Sequence, residues 1–223
     1  MRVAPEFLLL LLLSWLPAQR CLADDKPERA VVYIQVGYRE SNVFVPVEDG
    51  TGFLINDQGW VATANHLLEV QIPSDKQREI RGGLGSIDAE MHQLFATPGP
   101  VVSADIALLR FSPALASSWP HLKILSNYAF TYLQPIVAYG FPSVPQRQEL
   151  SARPGKVTGL LGPHNSIQVN AGLAPGMSGG PWSWKVPTAW SQSSQAAWIF
   201  QITIISHPSS TLGRYLKCRR PIS

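Results

Sequence analysis

Short apolar runs separated by turn-forming residues make up most of the chain from Ala30 onward. The runs are rich in Val, Ile and aromatic side chains, and Gly, Pro, Asn and Asp lie between them. This alternation is typical of β-strands joined by tight turns. It predicts strands at Ala30–Tyr38, Gly52–Ile55, Gly59–Thr63, Asp105–Phe111, Pro135–Tyr139, Lys156–Leu161, Ser166–Asn170 and Trp198–Ile205.

Beyond the N-terminal segment, no stretch long enough for a helix keeps an apolar period of about 3.6 residues. The chain also contains 19 prolines and 17 glycines, which favour turns. Many short strands with frequent turns predict an all-β protein, either a sandwich or a pair of barrels. The length of 223 residues suffices for one domain, or for two small barrels packed as a unit.

The first 23 residues have the features of an export signal. Arg2 precedes an unbroken apolar run from Phe7 to Leu13, and Cys21 and Ala23 are small residues where a signal peptidase cleaves. The run is too short to cross a bilayer as a stable helix. We therefore predict a signal peptide at 1–23 and an exported domain at 24–223, in a bacterial periplasm or outside the cell. An uncleaved anchor is the alternative, because Glu6 is unusual in a signal.

Charge and cysteine content narrow the class of protein further. A net charge of +3 is too small to indicate nucleic acid or an anionic membrane as a partner. Cys21 belongs to the signal and Cys218 has no partner, so the exported domain depends on its apolar core, as is more typical of bacterial envelope proteins. The remaining histidines show no ligand spacing, and we expect neither a metal site nor a cofactor. They are His92, His121, His164 and His207.

A serine among glycines is the first candidate for chemistry. In the segment G-M-S-G-G-P at 176–181, Ser178 lies where glycines allow a tight turn and free backbone N–H groups. Such N–H groups can stabilise the oxyanion that forms when a serine attacks an acyl carbonyl. Taken alone, the segment is equally typical of a glycine-rich surface turn.

Two upstream residues change that balance. His66 ends the apolar run G-W-V-A-T-A-N-H, and a histidine can exchange protons near neutral pH. Asp105 begins the run D-I-A-L-L, from which its carboxylate can orient an imidazole. Either residue alone is more often structural. The order His66, Asp105, Ser178 is far more specific than any one of them.

The blocks G-T-G-F-L-I…G-W-V-A-T-A-N-H, D-I-A-L-L and G-M-S-G-G-P resemble those of the chymotrypsin-like, trypsin-fold serine peptidases. They are especially similar to the bacterial branch with the periplasmic high-temperature-requirement proteases. The resemblance covers roughly 30–182 and implies two packed six-stranded Greek-key β-barrels. It also implies a polypeptide substrate and a serine endopeptidase in which His66 is the base, Asp105 its partner and Ser178 the nucleophile. The N–H groups of Gly176 and Ser178 would form the oxyanion hole.

Neighbouring residues refine what the resemblance implies. Gly172 and Leu173 fall where related proteases have the primary substrate pocket, and their lack of charge predicts a small or apolar side chain there. Met177 replaces the aspartate that digestive relatives use after zymogen cleavage, so we expect no activation beyond signal removal. We also expect no appended PDZ module.

The segment after Pro181 departs from the family pattern. It has no glycine between Gly180 and Gly213, and it contains four of the seven tryptophans. Side chains then occupy space through which a substrate chain would approach. A lineage-specific pocket, a degenerate protein that does not cleave and an error in the gene's reading frame are all consistent with this. The alternatives to a peptidase are an inactive peptide-binding scaffold and an esterase with the same triad.

Overall fold

The computed structural model describes residues 26–97, 105–124, 129–143, 149–162, 166–184 and 197–199. These residues form eleven β-strands and two short 3₁₀ helices, Pro27–Arg29 and Asn65–Glu69. The all-β class is therefore confirmed for the described part of the chain. The predicted signal peptide, residues 1–23, and Cys218 lie outside it.

The first six strands close into an antiparallel barrel, called the barrel below. In space they follow the order β1-β2-β3-β6-β5-β4, and β4 pairs back onto β1. Buried aliphatic and aromatic side chains such as Ile34, Leu109 and Phe111 fill its interior. The strands are β1 (Val31–Glu40), β2 (Val43–Leu54), β3 (Trp60–Ala64), β4 (Arg78–Leu84), β5 (His92–Ala96) and β6 (Ile106–Phe111).

The other five strands form one sheet, called the second sheet. Its order is β11-β10-β7-β8-β9, and its core contains Ile136, Val157 and Trp182. In the described part of the chain this sheet is open, so the predicted second six-stranded barrel is not confirmed. The strands are β7 (Pro135–Gly140), β8 (Ser151–Gly162), β9 (Ser166–Asn170), β10 (Trp182–Trp184) and β11 (Ala197–Ile199).

The predicted strands are present, but their limits differ. β2 begins at Val43 rather than Gly52, because its first half is largely exposed and contains Pro46, which has no N–H for strand pairing. The sequence pattern also missed β4, β5 and β10. β4 carries three charged residues and two glycines, and β10 has three residues. The predicted strand Trp198–Ile205 overlaps β11, and its remainder lies outside the described residues.

Aromatic packing joins the barrel to the second sheet. Tyr33 of β1 and Phe141, directly after β7, meet edge to face with ring centroids 5.4 Å apart. Both side chains are buried, together with Val31. This contact brings the end of β7 against the barrel wall. None of the helices in the described ranges is long and apolar enough to cross a membrane.

Candidate active site

Strand pairing brings His66 and Asp105 together. His66 lies in the 3₁₀ helix Asn65–Glu69 that directly follows β3, and Asp105 directly precedes β6. β3 and β6 are antiparallel neighbours, with Ala64 opposite Ile106. The end of one strand therefore lies beside the beginning of the other.

Three hydrogen bonds hold this pair. The backbone N–H of His66 donates to Oδ1 of Asp105 (2.8 Å), and Nδ1 of His66 is 2.9 Å from Oδ2. The N–H of Asn65 also donates to the Asp105 carbonyl (3.0 Å). A carboxylate only accepts hydrogen bonds, so it favours the tautomer with the proton on Nδ1 and leaves Nε2 as a proton acceptor. Asp105 has a φ of 50°, a left-handed conformation that few residues other than glycine adopt.

Ser178 lies in the turn of residues 175–180 between the second sheet's strands β9 and β10, called the Ser178 turn. Gly176 and Gly179 have φ angles of 83° and 85°, which other residues rarely adopt. A Cβ atom at Gly179 would collide with the Thr51 carbonyl oxygen and the Thr63 hydroxyl of the barrel. Glycine at this position therefore lets the turn pack directly onto the barrel.

His66 and Ser178 line the same surface cavity, called the site cavity, whose volume is about 340 Å³. Ser178 is 5% exposed, and the His66 side chain is 30% exposed. These two described side chains form no hydrogen bond with each other. The structure thus places the serine and the histidine in one cavity without joining them, although it joins the histidine to the aspartate.

The N–H of Gly176 has a fixed direction. The preceding carbonyl, that of Pro175, accepts a hydrogen bond from the N–H of Ser143 (2.8 Å). The N–H and C=O of a trans peptide point in opposite directions. The Gly176 N–H therefore points away from Ser143, and Gly176 itself lines the site cavity.

The same argument applies to the N–H of Ser178. The carbonyl of Met177 accepts a hydrogen bond from the N–H of Gly180 (3.1 Å), so the Ser178 N–H points away from Gly180. Within the described ranges, the N–H groups of Gly176 and Ser178 donate to no protein acceptor. Two free donors beside a serine are the elements of an oxyanion hole.

Gly172 and Leu173, which were predicted for the substrate pocket, lie outside the site cavity. Leu173 packs, partly buried, against the core of the second sheet. Gly172 is exposed, with a φ of 54° and open space where a Cβ would stand.

Three carboxylates on the wall of the site cavity escaped the sequence analysis. Glu48, Asp49 and Glu69 lie beside His66 and make this wall negatively charged. Burial raises the pKa of Tyr33, and the charge of Asp49 raises it further. In the sequence, only the adjacent residues E-D at 48–49 indicated these carboxylates, and the extent of β2 was needed to place them.

Within the ranges described, no group of three or more His, Cys, Asp or Glu residues could hold a metal ion.

Comparison with known proteins identifies the family to which this chain belongs. Residues 50–183 match the model of the trypsin-like peptidase domain. The fold is similar to that of the serine endoprotease from Yersinia pestis, with 16% identity, a TM-score of 0.53, and coverage of 78% of this chain and 58% of the endoprotease. Deg5 is similar at 20% identity with a TM-score of 0.56, covering 70% of this chain and 75% of Deg5. No curated protein matches the sequence.

Proposed function

This chain belongs to the trypsin-like peptidase family, and we propose that it is an exported serine endopeptidase using His66, Asp105 and Ser178. The observation that carries the proposal is that His66, which makes two hydrogen bonds with Asp105, lines the cavity that Ser178 also lines. Polypeptides are the substrates that the family implies.

In the proposed reaction, Oγ of Ser178 attacks the scissile carbonyl carbon while Nε2 of His66 takes the hydroxyl proton. The N–H groups of Gly176 and Ser178 stabilise the oxyanion of the tetrahedral intermediate. His66 then gives its proton to the leaving amine, and the C–N bond breaks. Asp105 stays ionised and stabilises the imidazolium. Water, deprotonated by His66, attacks the acyl-enzyme, and Ser178 regains its proton.

The missing hydrogen bond between Ser178 and His66 is compatible with this reaction. Catalytic hydrogen bonds in ligand-free enzymes are often long and shorten when substrate binds. The same observation also favours the second candidate, a protease-fold protein that binds peptides without cleaving them. An esterase is a third candidate, because the triad does not fix the acyl group.

Export rests on the sequence of residues 1–23, and the proposed location is the periplasm or the extracellular space. Blocking signal cleavage should leave the protein attached to the membrane.

Casein and short-chain esters distinguish the three candidates. We expect the wild-type protein to digest casein and the Ser178→Ala variant to be inactive. Ser86→Ala, at an exposed position in the turn between β4 and β5, is the matched control and should keep full activity. Hydrolysis of esters without casein digestion would support the esterase. If folded wild-type protein shows neither activity, the result would support the candidate that binds peptides without cleaving them.

A further inference from the structure

Thr51 of β2 lies at the junction between the barrel and the Ser178 turn. It is fully buried. Its backbone N–H donates to the Ser178 carbonyl (2.9 Å), and its hydroxyl donates to the Gly176 carbonyl (2.7 Å). The same hydroxyl accepts a hydrogen bond from the N–H of Phe141 (2.9 Å). One side chain therefore fixes two segments of the other half of the molecule.

The barrel side of Thr51 is equally constrained. Its carbonyl accepts a hydrogen bond from the hydroxyl of Thr63 (2.7 Å), and the neighbouring Gly52 is paired with Thr63 across β2 and β3. β3 leads directly into the helix that carries His66. Thr51 is thus connected by hydrogen bonds both to the element that carries the histidine and to the turn that carries the serine.

We propose that Thr51 is a positioning residue that sets the separation between Ser178 and His66. This inference rests on the proposed function. The Thr51 hydroxyl orients the peptide between Gly176 and Met177, and therefore the direction in which the turn enters Ser178. Thr51 touches no reacting atom, so it acts only through the turn. A displacement of about 1 Å at a reacting group can cost about 100-fold in rate.

Two substitutions separate the hydroxyl from the rest of the residue. Thr51→Val keeps the shape and the β-branched side chain but leaves the Gly176 carbonyl and the Phe141 N–H without a partner. Thr51→Ser keeps the hydroxyl and loses a methyl group. The backbone bond from Thr51 to Ser178 remains in both variants, so the turn stays attached to the barrel.

Ser183→Ala is the matched control. Ser183 is also buried, and its hydroxyl also makes a hydrogen bond, but that bond is to Tyr139 within the second sheet. A purely structural effect of losing a buried hydroxyl should appear in both Ser183→Ala and Thr51→Val. An effect on the serine should appear only in Thr51→Val.

The experiment measures the rate at which a fluorophosphonate labels Ser178, per folded molecule, in these four proteins. We expect Thr51→Val to slow labelling at least about 10-fold, with Thr51→Ser and Ser183→Ala within about 3-fold of wild type. Equal rates for Thr51→Val and Ser183→Ala would overturn the inference while leaving the proposed function intact.

A second readout does not depend on activity. Amide hydrogen exchange of residues 174–180 should be faster in Thr51→Val than in Ser183→Ala, because the turn has lost the bond to the Gly176 carbonyl. Unlabelled wild-type protein would contradict the proposed function, and the exchange measurement would still decide whether Thr51 holds the turn. Unchanged exchange in Thr51→Val would overturn the inference on its own.

Discussion

The carboxylate of Asp105 accepts from the backbone N–H of His66 with one oxygen and contacts the Nδ1 of His66 with the other, at 2.8 and 2.9 Å. The bond to the backbone N–H holds the 3₁₀ helix that contains His66, and the bond to Nδ1 holds the imidazole ring. Asp105 makes both from a left-handed backbone conformation, with φ of 50°. The aspartate therefore orients the imidazole through its main chain and its side chain together.

Asp105→Asn should remove activity while keeping the fold. Asparagine tolerates left-handed backbone, but its amide has one accepting oxygen for the two His66 donors. If the amide nitrogen faces Nδ1, the ring is driven to the tautomer that cannot accept a proton from Ser178. By analogy with the same substitution in Ser-His-Asp proteases, we expect kcat to fall about 10⁴-fold. A folded variant with near wild-type kcat would refute this role.

Gly179 and Gly172 offer a matched pair for the close approach of the Ser178 turn to the barrel. Both have positive φ, so alanine at either position costs about 1–2 kcal/mol of backbone strain. A Cβ at Gly172 meets open space, whereas at Gly179 it meets backbone and side-chain atoms of the barrel. Urea unfolding should therefore show a larger loss for Gly179→Ala, by at least about 2 kcal/mol. Equal losses would mean that the turn is not packed as described.

The carboxylates of the site cavity should favour substrates that place a basic side chain there. Partly exposed ion pairs contribute about 0.2–1 kcal/mol, which corresponds to about 1.4- to 5-fold. Glu48→Gln should lower kcat/KM by that factor for peptides with Lys in the cavity and leave neutral peptides unchanged. Glu90→Gln, whose side chain is 85% exposed outside the cavity, is the control. A Lys preference that survives both Glu48→Gln and 0.5 M salt would argue against this effect.

Glu79 should make the stability of the barrel depend on pH. Burial raises the pKa of Glu79, but hydrogen bonds and charges of Arg39 and Arg81 outweigh it, and the pKa lies below its ordinary value of 4.5. The carboxylate accepts two hydrogen bonds from Arg39, at 2.9 and 3.1 Å, and one from Arg81, at 2.7 Å. A pKa that is lower in the folded than in the unfolded state stabilises the folded protein at pH values above 4.5. This contribution is lost as the pH falls through the folded-state pKa.

The Glu79→Gln variant tests this dependence. We expect it to be about 1 kcal/mol less stable than wild type at pH 7. The two proteins should converge as the pH is lowered from 4.5, since wild-type Glu79 then becomes neutral as well. Urea unfolding at pH 7 and pH 3 measures both differences. A constant difference across this range would show that the loss does not come from charge.

Local pattern was enough to predict most of the strands, because buried strands such as Val31–Glu40 carry continuous apolar runs. It was not enough for β4, where Arg78, Glu79 and Arg81 make ion pairs and side-chain bonds on the outside of the barrel. In the sequence, a segment with several charged residues resembles a loop, even where those charges are paired in the fold. The limits of strands with one exposed face are therefore the least predictable feature.

The sequence indicated candidate catalytic residues but not the residues that hold them in place. His66, Asp105 and Ser178 were identified from motifs and the family resemblance. Thr51 was not, because its hydroxyl bonds Gly176 across 125 residues of chain, and nothing local marks such a contact.

Fluorophosphonate labelling, with the modified residue located by mass spectrometry, tests most directly whether Ser178 is a nucleophile activated by His66. We predict that wild-type protein carries the label on Ser178, that Ser178→Ala carries none, and that His66→Ala reacts about 10²- to 10⁴-fold more slowly. Folded wild-type protein that stays unlabelled, or a His66→Ala variant that reacts at the wild-type rate, would contradict the account.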